Sequence, residues 1–430
     1  MSEPYSYAER LRSALPLADD QLVALREVWS AFWVSRAVIW VVGMGAVLAA
    51  GVAGETSPRL DPFWLTIPFD ETLANLLVAP GARWDSAWYL EIAQYGYDLP
   101  DRAAFFPLYP ALVALVAPLT TPLLAGLVVS CGCALGGMYL LHRLVELDFG
   151  ADTARAVILI VAWFPSAVVL SAVYSEGLFL LLSVGGIYAA RLGRWPLAGL
   201  AAGLAAASRS SGVLLLIPLA IMYLYGPRAD RPRHGIAGGW RPRHRVAPDI
   251  AWIAAAPAGV IAYLGYLWAA TGEPLSAFSA QGEWSRTLIP LVGGIALGAW
   301  DAVTGMVELV PGVGTSWVHA DGQVAELVAA RNLVLFGFLV VALWLVREGI
   351  HRLPAAYTAW AVAGLLLPLS VPALDEPLKS LPRFMLVLFP LWIALALWAQ
   401  ERGRLRRVLV TMGSLLVLST ALFATWVYPP

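Results

Sequence analysis

Residues 83–97 read RWDSAWYLEIAQYGY, with no helix breaker between positions 83 and 95. On a helix, Trp84 and Trp88 share one face, with Asp85 and Tyr89 beside them. That pattern predicts a helix lying at a membrane surface on aromatic anchors. Asp85 is its first carboxylate and falls in the N-terminal turn, where the helix dipole favours an ionised group. An ionised carboxylate there suits a general base that takes a proton from a hydroxyl. A helix cap is the competing reading, since aspartate often caps. Arg83 could hold the carboxylate ionised. Glu91 and Asp98 are further, weaker candidate acids of the same stretch, and Asp98, after Gly96 and Tyr97, has a turn residue as its rival reading.

The elements that position these residues follow from composition. Of 430 residues, 60% are hydrophobic and 13% charged, and the mean hydropathy is +0.72. Soluble domains carry about 25% charged residues, so this chain has too few to coat a water-facing surface. Disorder, a disulfide scaffold and an ordinary soluble enzyme are excluded. The net charge of −1 argues against a nucleic-acid partner, because a phosphate backbone demands a basic surface. The 19 Trp fit interfacial belts. The expected fold is an all-α polytopic membrane protein forming one domain over residues 1–430. Runs of about 20 apolar residues predict about 11 transmembrane helices, within a range of 10–13: near 28–53, 123–147, 154–173, 174–191, 196–209, 211–226, 250–270, 329–346, 355–371, 383–400 and 407–427. The first reads as an uncleaved signal anchor. Segments 105–119 and 288–309, broken by Pro and Gly, read as interfacial or partly inserted. Gly199 and Gly203, four apart, predict close helix packing.

Charge sets the sides. Six Arg fall in 227–249 and four in Glu401–Arg407; Arg191 with Arg194 and Arg347 with Arg352 form two more basic turns. The stretch 54–104 holds eight acids against three Arg, and 271–328 holds six acids against one. Eleven spans from a cytoplasmic N-terminus put every basic turn inside. The segments 54–122, with its interfacial helices, and 271–328 then lie outside as extracytoplasmic loops. The loop 227–249 reads as a positive-inside linker, with a lipid-headgroup patch as the alternative. Cys131 and Cys133 lack the second half of a zinc pattern. The five His show no ligand spacing, so no metal site and no certain cofactor is expected, and a divalent cation is left open.

RWDSAWYLEIAQYGY followed by AFFPLYP resembles the PIG-V-type mannosyltransferases. The resemblance continues through FPSAVVLSAVYSEGLF (164–179), GLAAASRSSGV (203–213) and SLPRFMLVLFPL (380–391). It departs in 288–328, where no matching pattern stands. The resemblance implies a GT-C-like glycosyltransferase of a bacterial relative. It implies a polyprenyl-phosphate mannose donor, a multi-spanning body, inversion by direct displacement and an acidic position that falls on Asp85. The acceptor is left open among glycan, lipid and protein, with membrane lipids as surroundings.

Transfer from a lipid phosphate needs an activated acceptor hydroxyl, cations for the departing phosphate and a groove for the polyprenyl chain. Outer-side cations are scarce: Arg209 in ASRSSG, Arg383, and Lys379, which is the single Lys of the chain. These are the candidates for the donor phosphate, with snorkelling as the alternative. Glu176, beside Tyr174 at an outer helix start, is a candidate acceptor or structural partner, with N-capping as its rival. In QGEWSR (281–286), Gln281 and Glu283 could bind sugar hydroxyls, and Trp284 could stack on a sugar or sit at the interface. The alternative whole-protein reading is a transporter or scramblase of lipid-linked sugars, which predicts repeat symmetry and broken helices at mid-membrane. The Arg-for-Lys bias favours a bacterial plasma membrane with an extracytoplasmic site.

Overall fold

The computed structural model describes residues 18–229, 242–289, 293–314, 318 and 324–428. Arg231, Arg233 and Arg241 of the basic loop, and part of the 271–328 loop, lie outside the described residues. Among the described residues the regular elements are helices. In chain order the α-helices are α1 (Asp19–Ala50), α2 (Thr72–Val78), α3 (Asp85–Tyr95), α4 (Leu108–Val116), α5 (Pro122–Phe149) and α6 (Ala151–Ala162). Next come α7 (Glu176–Arg191), α8 (Trp195–Ser208), α9 (Leu216–Tyr225), α10 (Ala258–Thr271), α11 (Ser276–Ser279) and α12 (Gly293–Glu308). The last are α13 (Ala325–Arg352), α14 (Ala355–Ser370), α15 (Leu381–Leu386), α16 (Phe389–Glu401) and α17 (Leu405–Ala424).

The all-helical membrane class holds. Helices α1, α5, α13 and α17 are long and apolar enough to cross a membrane, and Pro248–Ala255 with α10, bent by 46°, makes a fifth candidate. Among the described residues, length and composition therefore give four to five spans and do not confirm about eleven. The physical reason is that several apolar runs break. Run 154–173 ends its helix at Ala162, because Pro165 lacks the N–H and the ring room a helix needs. Residues 163–175 continue as irregular backbone with a 3-10 turn at Ala167–Leu170. Residues 164–175 are buried throughout, and burial in protein is one setting in which irregular backbone is tolerated at membrane depth.

Arg36 of α1 serves that break. Its guanidinium donates to the Ala167 carbonyl at 2.6 Å and the Ala162 carbonyl at 3.1 Å. The Ala162 carbonyl is one of the orphans that the end of α6 leaves, so this buried charge caps a broken helix.

Close contacts set where α7 and α8 lie. A Cβ at Gly177 would stand 2.8 Å from the Ser130 carbonyl of α5, and one at Gly137 would stand 2.8 Å from the Leu181 nitrogen. Small residues thus let α5 and α7 touch backbone to backbone. Tyr109, from the FFPLYP run, hydrogen-bonds Ser130 at 2.7 Å, and Ser130 donates to the Tyr174 carbonyl at 3.2 Å. Gly199 of α8 packs directly on the Trp252 carbonyl and Gly203 on the Ala255 carbonyl, which is the close packing expected of their spacing.

Candidate active site

Asp85 opens α3 but does not cap it. The cap position belongs to Trp84, without a side-chain cap bond. Trp84 has φ +58, a left-handed conformation that a bulky residue holds only when its surroundings impose it. Its indole N–H donates to the Phe423 carbonyl at 3.3 Å and its ring packs on Trp426 at 5.6 Å. The Asp85 N–H donates to the Tyr174 hydroxyl at 3.2 Å, and that hydroxyl donates to the Arg83 carbonyl at 3.3 Å. The carboxylate is left to turn toward α15, where it accepts from Arg383.

Arg383 also faces Glu176, with Nε 3.3 Å from the carboxylate. Glu176 is buried in the first turn of α7 and pairs with Arg209 through the same oxygen. Ser175, next to it, accepts from Arg209 at 3.4 Å and hydrogen-bonds the Tyr89 hydroxyl at 2.8 Å. Asp85, Arg383, Glu176 and Arg209 thus form one continuous line of ion pairs across α3, α15, α7 and the end of α8. The N-capping alternatives for both acids give way to these pairs.

A third cation completes the group, and sequence reasoning missed it. The guanidinium groups of Arg209, Arg286 and Arg383 lie 5.5, 5.6 and 5.7 Å from the centroid of the Phe384 ring. Arg286 is carried there by an antiparallel pairing of its loop with the segment before α15. Thr287 N–H donates to the Pro372 carbonyl at 3.1 Å, Ile289 N–H to Ser370 at 2.9 Å, and Leu374 N–H to Ser285 at 2.9 Å. The Arg286 pKa is pushed down to about 10, first by burial and then by repulsion from Arg383. It remains a cation at neutral pH, and an anion placed among the three would relieve that repulsion. The signal was available: Arg286 is the lone Arg of the stretch 271–328, which is otherwise rich in acid.

Backbone strain gathers here. Ser285, just before Arg286, has φ +54, and Ser380, the cap of α15, has φ +63. With Trp84, three non-glycine left-handed residues each introduce a charged member of the group. Such outliers persist where the surrounding structure over-determines them, which is typical of functional sites.

The other expected residues lie elsewhere. Arg83 turns away from Asp85: its side chain donates to the Ala424 carbonyl at 3.0 Å and the Ala82 carbonyl at 2.9 Å, under the Trp426 ring. Glu91 and Asp98 are both bound by Arg102, Glu91 at 3.1 Å. Burial raises the Glu91 pKa against the pull of Arg102. Lys379 is 3.4 Å from Asp375. Trp284 packs edge-on against Trp88 and Phe105, each at 5.5 Å. Gln281 donates to the Ala104 carbonyl at 3.4 Å, and Glu283 is exposed. This aromatic cluster seats the 280–284 turn on the first loop, beside Asp85. Among the described residues no three or more His, Cys, Asp or Glu are grouped to hold a metal.

Residues 52–224 match the mannosyltransferase (PIG-V) family. The resemblance read from RWDSAWYLEIAQYGY and AFFPLYP is therefore upheld. The PIG-V segment contains Asp85, Tyr174, Glu176 and Arg209; Arg286 and Arg383 lie beyond it. The chain is 31% identical over 170 residues to GPI alpha-1,6-mannosyltransferase 2 of Rattus norvegicus, covering 36% of this chain and 34% of that protein. It is 28% identical over 176 residues to GPI mannosyltransferase 2 of Cryptococcus neoformans, covering 37% and 41%. The matched region thus spans about a third of the rat relative's length. Among solved structures, the Archaeoglobus fulgidus oligosaccharyltransferase in complex with Zn and sulfate aligns with 13% identity and a TM-score of 0.42, over 91% of this chain and 53% of that one.

Proposed function

We propose that this chain is a membrane mannosyltransferase that moves a mannosyl residue from a polyprenyl-phosphate donor to an acceptor hydroxyl, with Asp85 as general base. The observation that supports it best is the line Asp85–Arg383–Glu176–Arg209, whose acids lie within the PIG-V segment. The proposed body is GT-C-like, with about eleven crossings counting the shorter and broken helices. The site is placed at the extracytoplasmic face of a bacterial plasma membrane.

In the proposed reaction the acceptor oxygen attacks C1 of the mannosyl group and its proton passes to the Asp85 carboxylate. The bond from C1 to the phosphate oxygen breaks, and its electron pair leaves on the polyprenyl phosphate. Charge grows on that phosphate, and Arg209, Arg286 and Arg383 are the groups to bind it. Guanidinium meets phosphate in a fixed fork, which orients as well as neutralises.

The pairing of Arg383 with Asp85 adds a logic to this. A donor phosphate competes for Arg383 and frees the Asp85 carboxylate to meet the acceptor hydroxyl. Glu176, buried and paired twice, keeps Arg209 and Arg383 aligned.

The test is to incubate membranes holding the protein with radiolabelled polyprenyl-phosphate mannose and identify the labelled product. Label should pass to an acceptor and inorganic phosphate should not be released. No transfer from any polyprenyl-phosphate hexose would overturn the reading.

A further inference from the structure

A second cluster of cations lies at the other end of the helices that carry the site. Glu176 opens α7 and Arg191 closes it; at 1.5 Å per residue the two are roughly 22 Å apart along the axis. At the Arg191 end is a cavity of about 700 Å³. Arg191, Arg228, Arg243 and His244 line it, with Ile221 and Ala355 on its apolar side. No Asp or Glu is among the described lining residues.

The cations are built in rather than loosely displayed. Arg228 is buried between two rings, 4.5 Å from Trp195 and 4.4 Å from Tyr223, and donates to the Tyr223 carbonyl at 2.9 Å. Arg191 is aimed by Asp148 at 2.8 Å, whose other oxygen accepts from Tyr357 at 2.6 Å. Both limbs of the basic loop are tied to helix ends. Ala229 N–H donates to the Arg191 carbonyl at 3.0 Å, while Arg243 and His244 N–H donate to the Leu224 carbonyl at 2.8 and 3.1 Å. His244 is buried and Arg243 exposed.

We propose that this cavity binds the phosphate-bearing headgroup of an anionic membrane lipid. Rigid, aromatic-backed guanidinium groups are suited to phosphate. The wall of Ile221 and Ala355 belongs to the apolar helices α9 and α14, so an acyl-bearing ligand can leave the cavity along them. Basic residues at the cytoplasmic end of spans are where anionic headgroups gather. A positive-inside linker alone needs neither a cavity nor a charge held between two rings.

The test reads lipid retention by native mass spectrometry, after reconstituting the full chain into phosphatidylcholine nanodiscs with and without phosphatidylglycerol. Wild-type protein should retain phosphatidylglycerol over phosphatidylcholine. Arg243→Gln, at an exposed position that leaves the packing intact, should weaken that retention by about fivefold, the share of one basic residue near an anionic surface. Arg228→Gln should weaken it further, and if that variant does not fold, Arg243→Gln carries the test alone. Equal retention by wild type and Arg243→Gln would overturn the proposal. Displacement of the lipid by millimolar inorganic phosphate would overturn it too, in favour of a free-anion site.

Discussion

Asp85 and Arg383 are 298 residues apart in the chain and joined by an ion pair. Helix α3 and the short helix α15 thereby close one site. Each residue is led in by a left-handed neighbour or cap, Trp84 and Ser380. The pair is therefore held by backbone geometry on both sides, and its two halves can be tested separately.

Asp85→Asn keeps the shape and the ability to accept from Arg383, but removes the base. Mannosyl transfer should fall by about 10²–10⁴-fold, the range a positioned general base supplies. Membrane insertion and thermal stability should stay close to wild type. Activity within a few-fold of wild type would remove Asp85 from the role of base.

Arg286→Gln should cut transfer by about 10²-fold, the cost of losing one charge-stabilising donor from an organised site. Lys379→Gln is the contrast. Its ammonium faces Asp375 at 3.4 Å and is partly exposed, and such pairs are worth about 0–1 kcal/mol. Activity of that variant should stay within a few-fold of wild type. Measuring kcat and KM for the donor on both variants decides which cation the phosphate meets; the reverse ranking would restore Lys379.

The contrast shows what a sequence can reveal of such a site. Asp85, Arg209, Glu176 and Arg383 were legible because a charge in a mostly apolar chain is expensive and stands out, and Tyr174 because it stands beside Glu176. Their mutual pairing was not legible, since it joins helices by tertiary packing alone. Arg286 was passed over because its loop reads as acidic and irregular; only the pairing of 285–289 with 370–374 brings it to Phe384. Glu91 and Asp98 looked alike to Asp85 by type, and differ because Arg102 consumes both. The helical membrane class followed from hydropathy. The span count did not, since hydropathy is blind to a break like that at Pro165, which Arg36 caps from another helix.

Arg102 is a structural clamp by this account. It is buried with Glu91, at side-chain exposures of 1% and 4%, so the pair is shielded from solvent screening. Arg102→Ala leaves Glu91 buried and uncompensated, which costs roughly 3–5 kcal/mol. Glu91→Gln in the same background should recover part of the loss. A thermal shift series on the purified protein reads both effects. If Arg102→Ala lowers activity with no fall in melting temperature, the clamp reading fails and Arg102 belongs with the substrate.

Gly177→Ala tests how the site is aimed. The added Cβ would meet the Ser130 carbonyl at 2.8 Å and the Ala134 nitrogen at 3.2 Å. Both are backbone atoms of α5 and cannot turn aside, so α7 must shift at its first turn. That turn carries Glu176, and Ser130 also holds the Tyr174 carbonyl. Overpacking of this kind costs about 1–3 kcal/mol, and here the displacement falls on the residue that aligns Arg209 and Arg383. Activity should therefore drop by more than the stability loss alone explains. Gly185→Ala, about two turns further along α7, meets only a flexible Leu140 methyl at 3.4 Å and should leave both stability and transfer nearly unchanged. Equal behaviour of the two variants would mean that the α5–α7 contact does not aim Glu176.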